Sequence, residues 1–191
     1  MKHALLGSVA LVVLSALLAG CQSPPARPRA ETTVSETTRN NCYSLLYQLL
    51  GDEKNVSKLR FIKREDSDVK QLLIKISDAA RKAHTELEAF SKLDPSLQLN
   101  AVNLPPGEDK TRQDISAVTE KQLLHESGEK LELDLLLTQI DALRYAAHLA
   151  KVAGQNDFNS ERAQYLARLS QQMQSLHDEA VAFLTLRHPG K

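Results

Sequence analysis

Residues 67–94, SDVKQLLIKISDAARKAHTELEAFSKLD, decide the fold class. Val69, Leu73, Ile76, Ala80, Ala83, Leu87 and Phe90 recur at alternating steps of four and three, which lines them along one side of an α-helix and leaves charged residues on the other. Ser67 stands where an N-cap belongs, and Pro95 pushes Asp94 out of the helical region, so the spacing predicts a helix from Ser67 to about Asp94. The pattern recurs downstream. Ile115, Val118, Leu123 and Leu124 mark a helix starting near Thr111. Leu133, Leu136, Ile140, Leu143 and Ala147 mark a second that closes at Gly154, and because Leu131, Leu135 and Leu137 flank its seam it is either the central helix, the reading favoured here, or one partly exposed to a partner. Leu166, Leu169, Met173, Leu176, Ala180 and Phe183 mark a third, capped by Asn159 or Ser160 and running out at His188-Pro189-Gly190.

Upstream, Asn40 or Asn41 begins a shorter helix that carries Cys42, Leu45, Leu46, Leu49 and Leu50 and stops at Gly51. Val56 to Ile62 fits either a turn of helix or a loop, and Ser127-Gly128 either opens a fresh helix or bends a continuous one. The connection of about sixteen residues that ends in Leu104-Pro105-Pro106-Gly107 is longer than bundle turns usually are. The expected architecture is all-α: a helical bundle of about four main helices plus a short N-terminal helix.

Composition agrees with that class and narrows the partners. The 191 residues contain no Trp, 7 Gly, and equal numbers, 24 and 24, of basic and acidic side chains. Scarce aromatics and abundant Leu, Ala, Gln, Glu and Lys favour helices over twisted sheets. A net charge of zero offers no concentrated basic face, which argues against nucleic acid as a partner.

The first residues have a different plan. Met1-Lys2-His3 is a short basic start, an apolar run extends from Ala4 to Leu18, and Ala19-Gly20-Cys21 follows. The run is shorter than the roughly 20 residues that a membrane span needs, and its layout is that of a signal peptide. Leu18-Ala19-Gly20-Cys21 resembles the lipobox of bacterial lipoproteins. That resemblance implies cleavage between Gly20 and Cys21 and a diacylglyceryl group on the Cys21 thiol, with a further acyl chain, such as palmitate, on its freed amino group. Each buried methylene contributes about 0.8 kcal/mol, so two or more chains anchor stably to membrane lipid. Gln22, in place of the Asp that retains such proteins in the inner membrane, implies an outer-membrane lipoprotein facing the periplasm. Residues 1–20 are then the signal peptide, 21–40 the lipidated Cys and a disordered tether rich in Pro, Thr and Arg, and 41–187 the helical domain. With Cys21 lipidated, Cys42 has no intramolecular partner, and its apolar neighbours point to burial.

The body has a resemblance of its own. Ala79-Ala80-Arg81-Lys82-Ala83-His84 followed by Leu87, then Leu104-Pro105, Ser127-Gly128, and later helices with His148 and His177, are similar to a family of exported bacterial domains with a ferritin-like helical bundle, over Val69 to Leu184. The chain departs from that family at Leu131-Glu132-Leu133-Asp134, where an aromatic and an acid are expected.

His84, His125, His148 and His177 fall one to each main helix, and bundle cores are common places for metal sites. Di-iron bundles need a Glu three residues before each ligand His, and those positions hold Arg81, Gln122, Tyr145 and Gln174. His84, His148 and His177 each follow a seam residue and so sit at the flank of a packing face. The alternative to that reading is a metal site using His84, His148 and His177, or two of them with Glu88 one turn beyond His84. His125-Glu126 fails as a zinc-protease motif because Glu129 stands where the second His belongs, and no nucleophile elbow, phosphate loop or C-x-x-C occurs. The expectation is a non-catalytic module without a cofactor, partnered by membrane lipid through acylated Cys21 and by an envelope protein.

Overall fold

The computed structural model describes residues 29–56, 67–100 and 103–187. The leader, Gly20, Cys21, most of Val56 to Ile62 and the terminal His188-Pro189-Gly190 lie outside the described residues. Five helices follow one another: α1 (Arg29–Glu53), α2 (Ser67–Leu93), α3 (Pro106–His125), α4 (Gly128–Gln155) and α5 (Ser160–Arg187). No strand occurs among the described residues, and the fold is an all-α helical bundle.

The bundle proper is α1, α2, α4 and α5, arranged in a ring in which every neighbouring pair is antiparallel. Ser35 and Glu53 on α1 meet Asn156 and Gln139 at the far and near parts of α4. Ser170 on α5 donates to the Ala147 carbonyl on α4 (2.8 Å), and Lys75 on α2 pairs with Glu179 on α5 (2.6 Å). We call the end where α1 starts proximal and the other distal. On this plan α2 stops at the proximal end and α4 starts at the distal end, so the chain between them must climb the whole bundle. Residues 94–105 and α3 are that crossover, and 20 helical residues cover about 30 Å.

The all-α bundle stands as expected, and the crossover changes which four helices form it. α3 starts at Pro106, where a proline costs no hydrogen bond, rather than near Thr111, and none of its residues is buried. Ile115, Val118 and Leu124, expected as a packing seam, are 61%, 56% and 45% exposed, and only Leu123 packs against the core. What holds α3 to α4 is Arg112, which donates to the Tyr145 hydroxyl (2.8 Å) and lies over its ring. The fourth bundle helix is instead α1, which is neither short nor capped by Asn40 or Asn41. It begins at Arg29, within the stretch expected to be tether, because its polar side chains find tertiary partners: Ser35 reaches Asn156 (3.2 Å), and Arg39 is buried against Ser96 and the Phe158 ring. Asn41 pairs through its side chain with the backbone of Asn103, and the helix runs through Gly51 to Glu53.

The remaining seams stand with local shifts. α2 buries Val69, Leu72, Leu73, Ile76, Ala80, Ala83 and Leu87, and ends as expected before Asp94-Pro95. α5 buries Leu166, Leu169, Met173, Leu176 and Ala180, and Asn159 caps it by accepting from the N–H groups of Glu161 and Arg162 (3.0 Å each). In α4, which packs on three other helices and is central, the seam is Leu131, Leu135, Leu136, Gln139, Leu143, Ala146, Ala150 and Ala153, with Leu133 only half-buried. Ser127-Gly128 is a break between two helices, since Gly128 has φ 65°, a left-handed value that favours glycine. Gly154 does not cap α4. It lies inside the helix where α5 crosses closely, and a Cβ there would stand 3.2 Å from the Ala163 carbonyl and from Leu166 Cβ.

Candidate functional site

Two polar clusters interrupt this apolar frame. The first includes His84, the one sequence-singled histidine that is buried. Its ring stacks on Tyr47 of α1 with centroids 4.1 Å apart, while the Tyr47 hydroxyl donates to Glu88 Oε1 (2.7 Å), one turn beyond His84 on α2. Lys54, just past α1, brings its ammonium to 3.2 Å from His84 Nε2. The Lys54 carbonyl is held in turn by the Ser77 hydroxyl (2.7 Å). Lys54, Asn55, Arg81, His84, Thr85 and Glu88 line an open groove of about 250 Å³ over this cluster.

Its electrostatics fix the imidazole's state. Burial lowers the His84 pKa below the ordinary value, the Lys54 ammonium lowers it further, and Glu88 opposes both without outweighing them. A neutral ring facing an ammonium must accept at Nε2, which places its proton on Nδ1. Nδ1 lies 3.6 Å from Glu88 Oε1, too far for a hydrogen bond. Glu88 is itself held below the usual carboxylate range, first by the Tyr47 hydroxyl. With the Nε2 lone pair occupied by Lys54, His84 is neither a free general base nor an open metal ligand. The cluster fastens the distal part of α1 to α2.

The other histidines do not join it. His148 is exposed on α4, His125 is exposed and bonds through Nδ1 to the Lys121 carbonyl (2.7 Å), and His177 pairs with Asp178 (2.9 Å). The shared site of His84, His148 and His177 is therefore not formed, and among the described residues no group of three or more His, Cys, Asp or Glu side chains is placed to hold a metal ion. The geometric reason lies in the ring: the three side chains flank different seams, and apolar residues fill the space between. Cys42 is buried in the core, where burial pushes its thiol pKa up and away from reactivity.

The second cluster closes the proximal end, and sequence reasoning missed it. Arg162 of α5 is 8% exposed. Its guanidinium donates to both carboxylate oxygens of Asp157 (2.9 and 2.8 Å) and to Asp94 Oδ2 at the end of α2 (2.9 Å). Tyr43 of α1 donates its hydroxyl to Asp157 Oδ2 (2.6 Å), and Ser96 donates to Asp94 Oδ1 (2.6 Å). Burial works against the charge of Asp157, but the bonds from Arg162, Tyr43 and the Asn159 N–H outweigh it and hold the pKa below the usual range. Asp94 is held low mainly by Ser96, with Arg162 adding to it. One fully paired cation thus joins α1, α2, the α4–α5 turn and α5. A signal was available: Arg162 occupies the seam slot four residues before Leu166, and a cation in a seam requires carboxylates nearby.

Neither cluster presents a nucleophile with a base, nor a pair of carboxylates poised at separated pKa values. No family model matches the chain, and no curated protein or solved structure matches it either.

Proposed function

We propose that this chain is a lipid-anchored lipoprotein of the bacterial cell envelope, held in the outer membrane through acylated Cys21 and facing the periplasm, whose helical bundle is a non-catalytic module that engages another envelope protein. The anchor rests on the apolar run ending in Leu18-Ala19-Gly20-Cys21. Among the described residues no helix is long and apolar enough to cross a membrane. The single long crossover between the second and third bundle helices supports the resemblance to exported ferritin-like bundles, which share that connectivity.

The observation that carries the interaction reading is α3. A helix of 20 residues with no residue buried, and with Ile115 and Val118 exposed side by side, gains little from its own bundle. It is the element on offer to a partner. Mass spectrometry of the mature protein is expected to find Cys21 as an acylated N-terminus, and an unmodified Cys21 or a retained leader contradicts the anchor. A photocrosslinking residue in place of Ile115, in the native envelope, is expected to give one discrete heteromeric adduct that is lost when Val118→Lys is added. The same residue in place of exposed Arg168 on α5 gives none. Identical adducts from both positions, or none from either, would sink the interaction reading.

A further inference from the structure

We infer that the proximal end of the bundle is a membrane-docking surface, which rests on the bilayer that holds Cys21 with Leu93 and Phe158 set into the interface. Three separate segments bring exposed apolar side chains to this end. Leu93 closes α2 and is 85% exposed, Phe158 sits in the α4–α5 turn at 63%, and Val34 of α1 is 67% exposed. Interactions of the adjacent residues link the three segments. Arg162 ties Asp94, next to Leu93, to Asp157, next to Phe158, and Ser35, next to Val34, bonds Asn156.

The mounting is rigid. The paired cation beneath these residues removes the freedom that would let them fold inward, and Arg39, itself 4% exposed, lies under the Phe158 ring at 5.5 Å and holds it out. An aromatic ring and a leucine presented on a rigid polar base are suited to the headgroup and acyl boundary, where apolar groups bury by about 5–10 Å and aromatic residues concentrate. Lys92 and Glu161 are both exposed beside them, so the contact is made by apolar burial rather than by net charge.

The occupant follows from where the chain leaves the bundle. This inference rests on the lipid-anchor reading of Cys21. Because α1 starts at Arg29, only residues 22–28 separate it from Cys21, and the covalent chain from Cys21 to Arg29 spans at most about 28 Å. The bundle is about 40 Å long by the length of α2. The anchor therefore emerges at the end that carries Leu93 and Phe158 and keeps that end against the lipid, with the distal end pointing away and α3 rising along the outside towards it.

The sequence contains no Trp, so one introduced Trp is a unique reporter. Full-length lipidated protein is reconstituted into vesicles of phosphatidylethanolamine and phosphatidylglycerol, with and without brominated acyl chains, as Phe158→Trp, as Leu93→Trp, and as Leu186→Trp at the distal end. Mass spectrometry of Cys21 is read on the same samples. Docking predicts roughly twofold quenching of the Phe158→Trp and Leu93→Trp emission by the brominated lipid, consistent with insertion to the acyl boundary, and none for Leu186→Trp. Acylated Cys21 with unquenched Phe158→Trp and Leu93→Trp overturns docking and leaves the anchor standing. Equal quenching at all three sites shows a bundle lying flat and also overturns it. A Phe158→Trp emission shift that depends on protein concentration and not on brominated lipid assigns the surface to a second copy, and unacylated Cys21 overturns both readings.

Discussion

The two ends of the bundle handle buried polarity in opposite ways. At the proximal end Arg162, Asp157, Asp94, Tyr43 and Ser96 satisfy one another, and the carboxylates are held in their charged form. Toward the distal end, Glu53 of α1 meets Gln139 of α4, the one polar side chain in that helix's seam. Glu53 Oε2 and Gln139 Oε1 are both sealed from solvent without a hydrogen-bond partner. Burial pushes the Glu53 pKa up to about 7, against the Gln139 amide that stabilises its charge. A buried carboxyl oxygen with no donor favours the protonated acid over the carboxylate. The contrast teaches that a polar group in a seam becomes a clamp when its counter-charges arrive with it, and a titrating weak point when they do not.

The largest break in the comparison comes at the clamp. Arg162→Ala strips the counter-charge from Asp157, whose side chain is fully buried, and should cost about 3–5 kcal/mol in urea unfolding at pH 7. Tyr43→Phe removes one bond from a carboxylate that stays paired and should cost about 1 kcal/mol. Equal losses from the two would mean that the ion pair is not what holds the proximal end.

At the distal end the sign reverses. The folded pKa of Glu53 is raised above its unfolded value, so its contribution is fully present below about pH 4.3 and is lost as pH rises towards 7. Asp94 and Asp157 are depressed, so theirs is present above about pH 3.9 and is lost as pH falls through the folded values. Glu53→Gln replaces the acid with a neutral isostere that places no charge in the buried site. It should stabilise the protein by roughly 1–3 kcal/mol at pH 8 and have little effect at pH 4. Destabilisation at pH 8, or the same gain at both pH values, would contradict the account of the orphaned pair. A smaller effect tests the joint between α3 and α4: Gly128→Ala forces a side chain into the left-handed region and should cost about 1 kcal/mol in urea unfolding.

Legibility in the sequence followed apolar periodicity. α2 and α5 could be read residue by residue because Leu, Ile and Ala fill their seams. The first half of α1 could not, because Thr, Ser, Glu and Arg there give no apolar stripe, and the helix is held by Ser35 and Arg39 reaching across to other segments. α3 misled in the opposite direction. Its apolar residues suggested a core helix, but Leu124 lies half a turn around from Ile115, so they form no common stripe. The observed seam of α4 differs from the expected one because Leu131 and Leu135, not Leu133, turn into the core, and because a core Gln139 is invisible to an apolar count. Of the site, the flanking character of the histidines was readable from their places after seam residues. The pairing of His84 with Lys54 and Tyr47 was not, since it joins two helices through a segment whose course the sequence leaves open.

The ring of α1, α2, α4 and α5 closes without α3, which lies outside it with no residue buried. Hydrogen exchange of the intact protein, read by mass spectrometry, tests this arrangement most directly. Amides in the seamed parts of α1, α2, α4 and α5 should be protected up to the global unfolding free energy, whereas those of α3 should exchange through local opening, faster by about two orders of magnitude or more. Protection of α3 equal to that of α4 would contradict the account, because it would make α3 a fifth member of the core.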